Sequence, residues 1–333
     1  MSGTMGEFAP SLGIVAIGRN EGERLERCLR RAVEFGVPLV YVDSVSMDDS
    51  VERARNLGVD VVELDPSLPL SAARGRNAGF QRLRELRPDL ELVQFIDGDC
   101  EIVDGWIESA VERLTQEPGL AAVCGRRLER FPMASVYNRL IDMEWDTPIG
   151  AARVFGGDVL LRASVFEELG GYDETLIAGE DPDLATRVCN TGWGIERMDI
   201  EMTLHDADLS RFGQWWRRQV RAGHAVVDTL LRAPMADRKI QHRVASIAFW
   251  GGGVPALVIL GLPFGPYPLL LLLGYPVLTF RIYGRLRRNG RSRENAALYA
   301  VSCVEGKFAE FYGGLQCAVN RLRRATPKLI EYK

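Results

Sequence analysis

From Leu12 to Cys124 short apolar runs alternate with amphipathic segments, the pattern of a layered α/β sheet with crossover helices. The spacing predicts strands over Leu12–Ile17, Leu39–Val42, Val59–Glu63, Leu92–Ile96 and Ala121–Cys124. Helices are expected over Glu23–Phe35, Asp48–Leu57, Ser71–Arg87 and Gly105–Gln116. In such sheets ligands bind at the carboxyl ends of the strands, so polar residues that directly follow a strand are the first functional candidates. The stretch from Arg126 to Ile149 has no regular period and reads as a loop.

The pattern changes after residue 243. From Val244 to Phe280 no side chain is charged, a run longer than the ~20 apolar residues of one membrane span and just short of two. Its middle, Leu262 to Pro268, is rich in Pro and Gly and divides the run into two apolar helices, a hairpin. Arg238, Lys239 and Arg243 precede it and Arg281, Arg285, Arg287, Arg288, Arg291 and Arg293 follow it, which places both ends on the cytoplasmic side. A hairpin buried in a soluble domain is the other reading. Glu294 to Arg324 reads as a helix that could lie along the membrane surface, with a basic end at Arg321, Arg323 and Arg324.

Composition narrows the classes. A 333-residue chain that is 47% hydrophobic and 26% charged is a folded protein of one large or two modest domains. Its net charge of -4 gives no reason to expect nucleic acid as a partner. The six cysteines are scattered without a C-x-x-C pair, which argues against a zinc site or a disulfide framework and for a reducing compartment. Met1 to Ser11 lacks a basic start followed by an apolar stretch, so no signal peptide is expected. The catalytic part is therefore expected at the cytoplasmic face of the membrane.

Two strand ends carry candidate chemistry. Val42-Asp43-Ser44-Val45-Ser46 ends a strand in an acid, with Ser46 placed to cap the next helix. Phe95-Ile96-Asp97-Gly98-Asp99 sets two carboxylates about a glycine. In an extended segment such side chains point the same way, toward one cation or toward a ribose and a cation. Oxygen ligands suit Mg²⁺ or Mn²⁺. Each motif alone is equally compatible with a turn or a helix cap.

Taken in order, these segments resemble the inverting family 2 glycosyltransferases. The matching stretches are Val15 to Glu21, Asp43-x-x-Ser46-x-Asp48-x-Ser50, Ala73-Arg74-Gly75-Arg76-Asn77-Ala78-Gly79 and Asp97-Gly98-Asp99. Phe155-Gly156-Gly157-Asp158, Gly170-Gly171-Tyr172-Asp173 and Gly179-Glu180-Asp181-Pro182-Asp183 continue the likeness, which covers roughly residues 10 to 230. The resemblance implies an α/β GT-A fold, a Rossmann-like mixed sheet flanked by helices, over 10–232. A membrane-attached module follows over 233–333, with the apolar hairpin at 244–280 and an interfacial helix at about 294–324. It further implies that Asp43 contacts the nucleobase, that Arg76 and Asn77 line the nucleotide pocket, that Asp97 faces the ribose, and that Asp99 binds Mg²⁺ or Mn²⁺ together with His205. Asp181 corresponds to the catalytic base, and Asp158, Glu180, Trp215 and Arg217 fall on the acceptor side.

The expected donor is a nucleotide sugar, a UDP-sugar by default. The expected acceptor is a saccharide or lipid-linked saccharide of cell-envelope or exopolysaccharide synthesis. Processive relatives carry Gln-x-x-Arg-Trp, whereas Gln214-Trp215-Trp216-Arg217-Arg218 ends in arginine, which sets a polymer-building role in doubt. A sugar nucleotidyltransferase and a catalytically inactive membrane scaffold are the alternatives. Release of nucleoside diphosphate excludes the first, and metal-dependent nucleotide binding excludes the second.

Overall fold

A computed structural model describes residues 11–232 and 238–323. The readings made of the extreme N-terminus (residues 1–10) and of Arg324 fall outside the described residues. The chain divides into two units: one runs through Pro132 and resumes over Glu144–Ala207, and the other comprises Met133–Met143 and the chain from Asp208 onward.

The first unit is built in chain order from β1 (Leu12–Gly18), α1 (Glu23–Val33), β2 (Leu39–Asp43), α2 (Ser50–Asn56), β3 (Asp60–Glu63), α3 (Ala72–Leu86), β4 (Leu92–Asp97), β5 (Cys100–Ile102), α4 (Trp106–Gln116) and β6 (Leu120–Glu129). Helix α5 (Val136–Trp145) follows; its residues through Met143 belong to the second unit. Then come β7 (Gly150–Ala152), β8 (Val159–Arg162), α6 (Ala163–Glu168), α7 (Glu180–Asn190) and β9 (Gly194–His205). The strands form one mixed sheet in the order β3-β2-β1-β4-β8-β6-β9-β5, with β7 paired to β9. Strands β3, β2, β1 and β4 are parallel, and β8 runs antiparallel between β4 and β6. The result is a mixed sheet flanked by helices, as the resemblance implies.

The central strands are buried along nearly their whole length, with Ile14, Val15, Phe95 and Ile96 fully enclosed. Such continuous apolar runs are what a sheet covered on both faces requires. Helix α3 lies close on the sheet because Gly79 has no side chain: a Cβ there would collide with Val15 Cγ1 and come 2.9 Å from Val42 Cγ2. The five expected strands and four expected helices all form, within a few residues at each end except β6, which continues to Glu129. Ser46, however, does not cap α2. It donates its hydroxyl to Asp43 Oδ1 at 2.5 Å and its backbone N–H to Oδ2 at 2.7 Å, and α2 starts after Asp49 without a side-chain cap.

The second unit contains α8 (Phe212–Arg232), α9 (Arg238–Ile247), α10 (Val254–Gly261), α11 (Gly274–Arg288) and α12 (Arg293–Leu322). A π-helical turn at Ala248–Gly253 joins α9 to α10, and a 3₁₀ segment at Tyr267–Leu273 leads into α11. Helices α8 and α12 meet backbone to backbone, since a Cβ at Gly223 or Gly313 would strike Glu310 or Val220 main-chain atoms. The helical stretches Arg238–Phe264 and Tyr267–Arg288 are candidate membrane spans by length and composition. They leave Ile259, Leu260, Leu270 and Phe280 exposed.

Gly79→Val is expected to destabilise the first unit by about 1–3 kcal/mol or more through overpacking against Val15 and Val42. Denaturant unfolding monitored by circular dichroism checks this, and an unchanged midpoint would refute the close helix–sheet packing.

Candidate active site

The parallel register sets Gly18 beside Asp43 and Ile17 beside Asp97, so the ends of β2 and β4 flank the end of β1 at the carboxyl edge. Asp43 is buried and accepts hydrogen bonds from Tyr41 Oη at 2.8 Å and from Ser46. Burial, with Asp43 alongside, pushes the Tyr41 hydroxyl well above the ordinary phenol range, so it stays a donor. The loop after β2 is pinned to the loop after β1: Asn20 N–H donates to Ser46 Oγ and Met47 N–H to Asn20 Oδ1. Val45 holds φ at 62° there, a left-handed conformation costly for a β-branched residue and of the kind that clusters at ligand sites.

Asp97 forms the centre of a buried charge network. Its Oδ1 accepts from Arg76 Nη2 at 2.8 Å and its Oδ2 from Arg127 Nη2 at 2.9 Å. Burial alone would raise its carboxyl, but the two guanidinium groups outweigh this and hold it below the usual carboxylate range. Arg127 also grips Asp158 through Nε at 2.8 Å and Nη2 at 2.6 Å, and its guanidinium lies 4.6 Å from the Trp145 ring centroid. Asp158 further accepts from Thr203 Oγ1 at 2.7 Å and from the Asp97 backbone N–H at 3.0 Å. Gly157 passes over this pair closely enough that a Cβ would collide with Arg76 and lie 2.7 Å from Asp97 Oδ2.

Arg76 reaches the start of α7 with its other nitrogen. Nη1 lies 3.2 Å from both Glu180 Oε1 and Asp181 Oδ1. Burial pushes the Asp181 carboxyl up to about 7, since Arg76 offsets only part of the effect and Glu180 and Asp97 add to it. Its buried Oδ1 accepts no hydrogen bond among the described residues.

A second cluster forms where β9 runs between β6 and β5. Pairing sets His205 opposite Cys100 on one side and Glu129 on the other. His205 Nδ1 lies 3.1 Å from Glu129 Oε2 and Nε2 lies 3.4 Å from Asp99 Oδ2. With Glu129 accepting from Nδ1–H, Nε2 faces Asp99 and would serve a cation on giving up its own proton, the arrangement in which a carboxylate orients a metal-binding imidazole. Burial opposes a charged imidazole, and Asp99 and Glu129 outweigh that and raise its pKa. Asp99, Cys100 and His205 bring potential ligand atoms within 4.8 Å of one another. Burial pushes the Cys100 thiol well up, so it remains protonated beside Asp99. What remains is one nitrogen and one carboxylate, a donor set that suits Mn²⁺ or Mg²⁺ with substrate oxygens completing the shell.

The acid pair therefore divides. The chain turns at Gly98, where a Cβ would lie 3.0 Å from Ile17 O. Strand alternation does not apply across that turn, so Asp97 faces the two arginines and Asp99 faces His205. Asn77 spends its amide on the 172–174 loop, with Nδ2 donating to Tyr172 O and Glu174 Oε1 and Oδ1 accepting from Tyr172 N–H, all at 2.9 Å. Asp158 has its carboxylate enclosed by protein donors, which makes it a support for Arg127 and Asp97 and leaves no face for a sugar. Within the second unit, Trp215 is buried against Leu140 and Met143 and stacks on Tyr137, as a core residue does. Arg217 is exposed on α8, and Gln214 accepts from Ser210 and Arg211 N–H at the start of that helix.

Arg127, Glu129, Trp145 and Thr203 were not legible in the sequence. Arg127-Leu128-Glu129 does alternate as a strand would, but it lies beyond the apolar run that marks β6.

Comparison with known proteins finds likenesses along the same stretch of chain. The model described as glycosyl transferase family 2 matches residues 14–173, and one described as N-terminal domain of galactosyltransferase matches 140–207. A glycosyltransferase, AglE, of Haloferax volcanii is 23% identical over 72% of this chain and 80% of its own length. A pre-mycofactocin glycosyltransferase of Mycobacterium tuberculosis is 25% identical over 78% of this chain, which spans only 55% of that relative. An O-antigen chain rhamnosyltransferase, RfbN, of Salmonella typhimurium is 27% identical over 47% of this chain and 53% of its own length. Among solved structures, a mannosyltransferase from Pyrobaculum calidifontis in complex with GDP-Man and Mn²⁺ superimposes with a TM-score of 0.57 at 16% identity, covering 94% of this chain and 87% of its own. Glucosyl-3-phosphoglycerate synthase from Mycobacterium tuberculosis, with Mn²⁺, UDP-glucose and glycerol 3-phosphate, gives 0.51 at 16% identity, over 71% of this chain and 87% of its own.

The raised Asp181 carboxyl has a stability consequence. Its folded pKa of about 7 exceeds the ordinary value of 3.8, so its contribution is fully present below about pH 4 and is lost as pH rises through about 7. Asp181→Asn should flatten that fall, gaining melting temperature relative to wild type at pH 8 compared with pH 5. Parallel melting curves across that range would contradict the raised pKa.

Proposed function

We propose that the chain is a family 2 glycosyltransferase and that it transfers a sugar from a nucleotide-sugar donor to an acceptor hydroxyl by a single inverting displacement, with Asp181 as the base. The observation that carries this reading is Asp181 itself. Its buried Oδ1 accepts no hydrogen bond among the described residues, burial pushes its carboxyl up to about 7, and it stands at the start of α7 with Arg76 Nη1 3.2 Å from Oδ1. A base is most effective when its pKa lies near the working pH.

In the proposed step the carboxylate of Asp181 takes the proton of the acceptor hydroxyl as that oxygen bonds to the anomeric carbon. The bond from that carbon to the diphosphate oxygen breaks on the opposite face, and the electron pair leaves with the nucleoside diphosphate. Asp43, at the end of β2, is assigned to the nucleobase, and Asp97, held by Arg76 and Arg127, to the ribose. Arg76 is assigned to the same pocket as the cation that keeps Asp97 and Asp181 in place. Asp99 and His205 would hold the divalent cation, Mg²⁺ or Mn²⁺, whose chemistry is to neutralise charge on the leaving diphosphate. Glu129 fixes the ring of His205 for that task. Asn77 and Asp158 act through the loops and arginines they hold, and Glu180 shares Arg76 with Asp181 at the acceptor side.

The candidate spans Arg238–Phe264 and Tyr267–Arg288 are assigned as a membrane-attached hairpin with its basic ends at the cytoplasmic face. An acceptor presented on a lipid carrier at that surface would meet the enzyme at high local concentration. The O-antigen relative supports a cell-envelope acceptor, and a UDP-sugar is the default donor.

Asp99→Asn is expected to abolish metal-dependent nucleotide binding in calorimetry with UDP, GDP and dTDP, each with Mn²⁺ and with EDTA. Asp181→Asn should keep that binding and lose about 10²–10⁴-fold in kcat. Equal loss of binding in both variants would contradict the division of roles. In the wild type, kcat should rise with pH through about 7, because the base must be ionised; a flat profile from pH 5 to 8 would remove Asp181 from that role.

A further inference from the structure

The two arms of the hairpin are antiparallel. Tyr275 Oη donates to Trp250 O at 2.7 Å and the two rings lie 5.6 Å apart. A Cβ at Gly274 would come 2.8 Å from the Trp250 ring, and one at Gly261 would collide with Pro268. Trp250 stands nearly as far along the chain from Arg238 as Tyr275 stands from Arg288. The start of α9 and the end of α11 therefore lie at the same end of the hairpin, away from the apolar tip at Leu262–Pro268.

That end carries charge of one sign. No Asp or Glu occurs between Arg238 and Arg293. Arg243 on α9 has a partner, Glu310 Oε1 at 2.8 Å. On α11, Arg281, Arg285 and Arg288 are spaced to form one stripe along the helix, since positions four and seven apart share a face. All three are exposed, as are Arg287 and Arg293 beyond them, and none of the five has an ion-pair partner among the described residues. The nearest acid in sequence, Glu294, is paired instead with Arg139 at 3.4 Å. The stripe directly follows the exposed apolar residues Val277 and Phe280. An apolar helix that ends in unneutralised arginines presents an apolar face to acyl chains and a cationic face to the headgroup layer above them.

We propose that the Arg281–Arg285–Arg288 stripe, with Arg287 and Arg293, is a binding surface for the anionic headgroups of a phospholipid membrane. The proposal rests on the membrane-attached reading of the hairpin and specifies which bilayer it recognises. Arginine suits the role because its guanidinium stays charged and matches phosphate oxygens with paired donors. Each such residue near an anionic surface contributes on the order of a fivefold gain in partitioning.

The test offers the full-length chain, at limiting lipid, two vesicle populations of different density at once. One is pure phosphatidylcholine and the other contains phosphatidylglycerol. Wild type is expected to partition at least about tenfold toward the phosphatidylglycerol vesicles at low salt, and to lose the preference near 1 M salt, where the screening length falls to about 3 Å. The triple variant R281Q/R285Q/R288Q should lose the preference while still floating with phosphatidylcholine, whereas R281K/R285K/R288K should keep most of it. Undiminished nucleotide binding by the glutamine variant would show that it is folded. If wild type floats equally with both populations, the arginine proposal is overturned and the hairpin reading stands. If it floats with the anionic vesicles but not with phosphatidylcholine vesicles offered alone, the hairpin reading fails and the proposal that rests on it fails too. Flotation with neither overturns both.

Discussion

The buried bridge of Arg76, Asp97 and Arg127 is the constraint on which the rest of the site depends. Two guanidinium groups and several carboxylates are removed from water at the carboxyl edge of the sheet. Uncompensated burial of any one of them would cost several kcal/mol. The charges compensate one another, so the network ties strand β4, strand β6, helix α3 and the start of helix α7 together. Asp158, just before β8, closes the ring, and Gly157 supplies the space in which it closes.

The same network sets the electrostatics of the proposed base. Asp181 shares its arginine with Asp97 and Glu180. An arginine divided among several acids cannot hold each of them strongly ionised, and burial then raises the one least compensated. Asp97 lies between two arginines and is held low, whereas Asp181 touches one and is pushed to about 7. Two aspartates in one cluster thereby acquire different protonation behaviour from the number of cations each meets.

The metal candidates arise from a different device, the order of strands. Because β9 runs between β6 and β5, its last residue is flanked by Glu129 and by the Asp99–Cys100 segment. The imidazole is held from both sides before any ligand is present. In the second unit, glycine performs the positioning: Gly223 and Gly313 let α8 and α12 approach at backbone distance, and the missing side chains at Gly251 and Gly252 admit Phe311 of α12.

The sequence by itself determined the elements that local pattern controls. Apolar runs of strand length fixed β1, β2, β3 and β4, and amphipathic spacing fixed α1 to α4, because those signals need only near neighbours along the chain. The acids at strand ends, the Gly-Glu-Asp helix start and the charge-free run were legible for the same reason. Only the tertiary structure decided what each acid meets. Alternation left Asp97 and Asp99 facing one cation or a ribose and a cation, and the turn at Gly98 sends them to different partners. Arg127 and Glu129 gained their places from strands far away in sequence. Trp215 became a core residue through contacts with α5. A side chain's chemistry is written in its residue type, but its ionisation and its availability depend on which distant charges fold in beside it, and no local pattern carries that information.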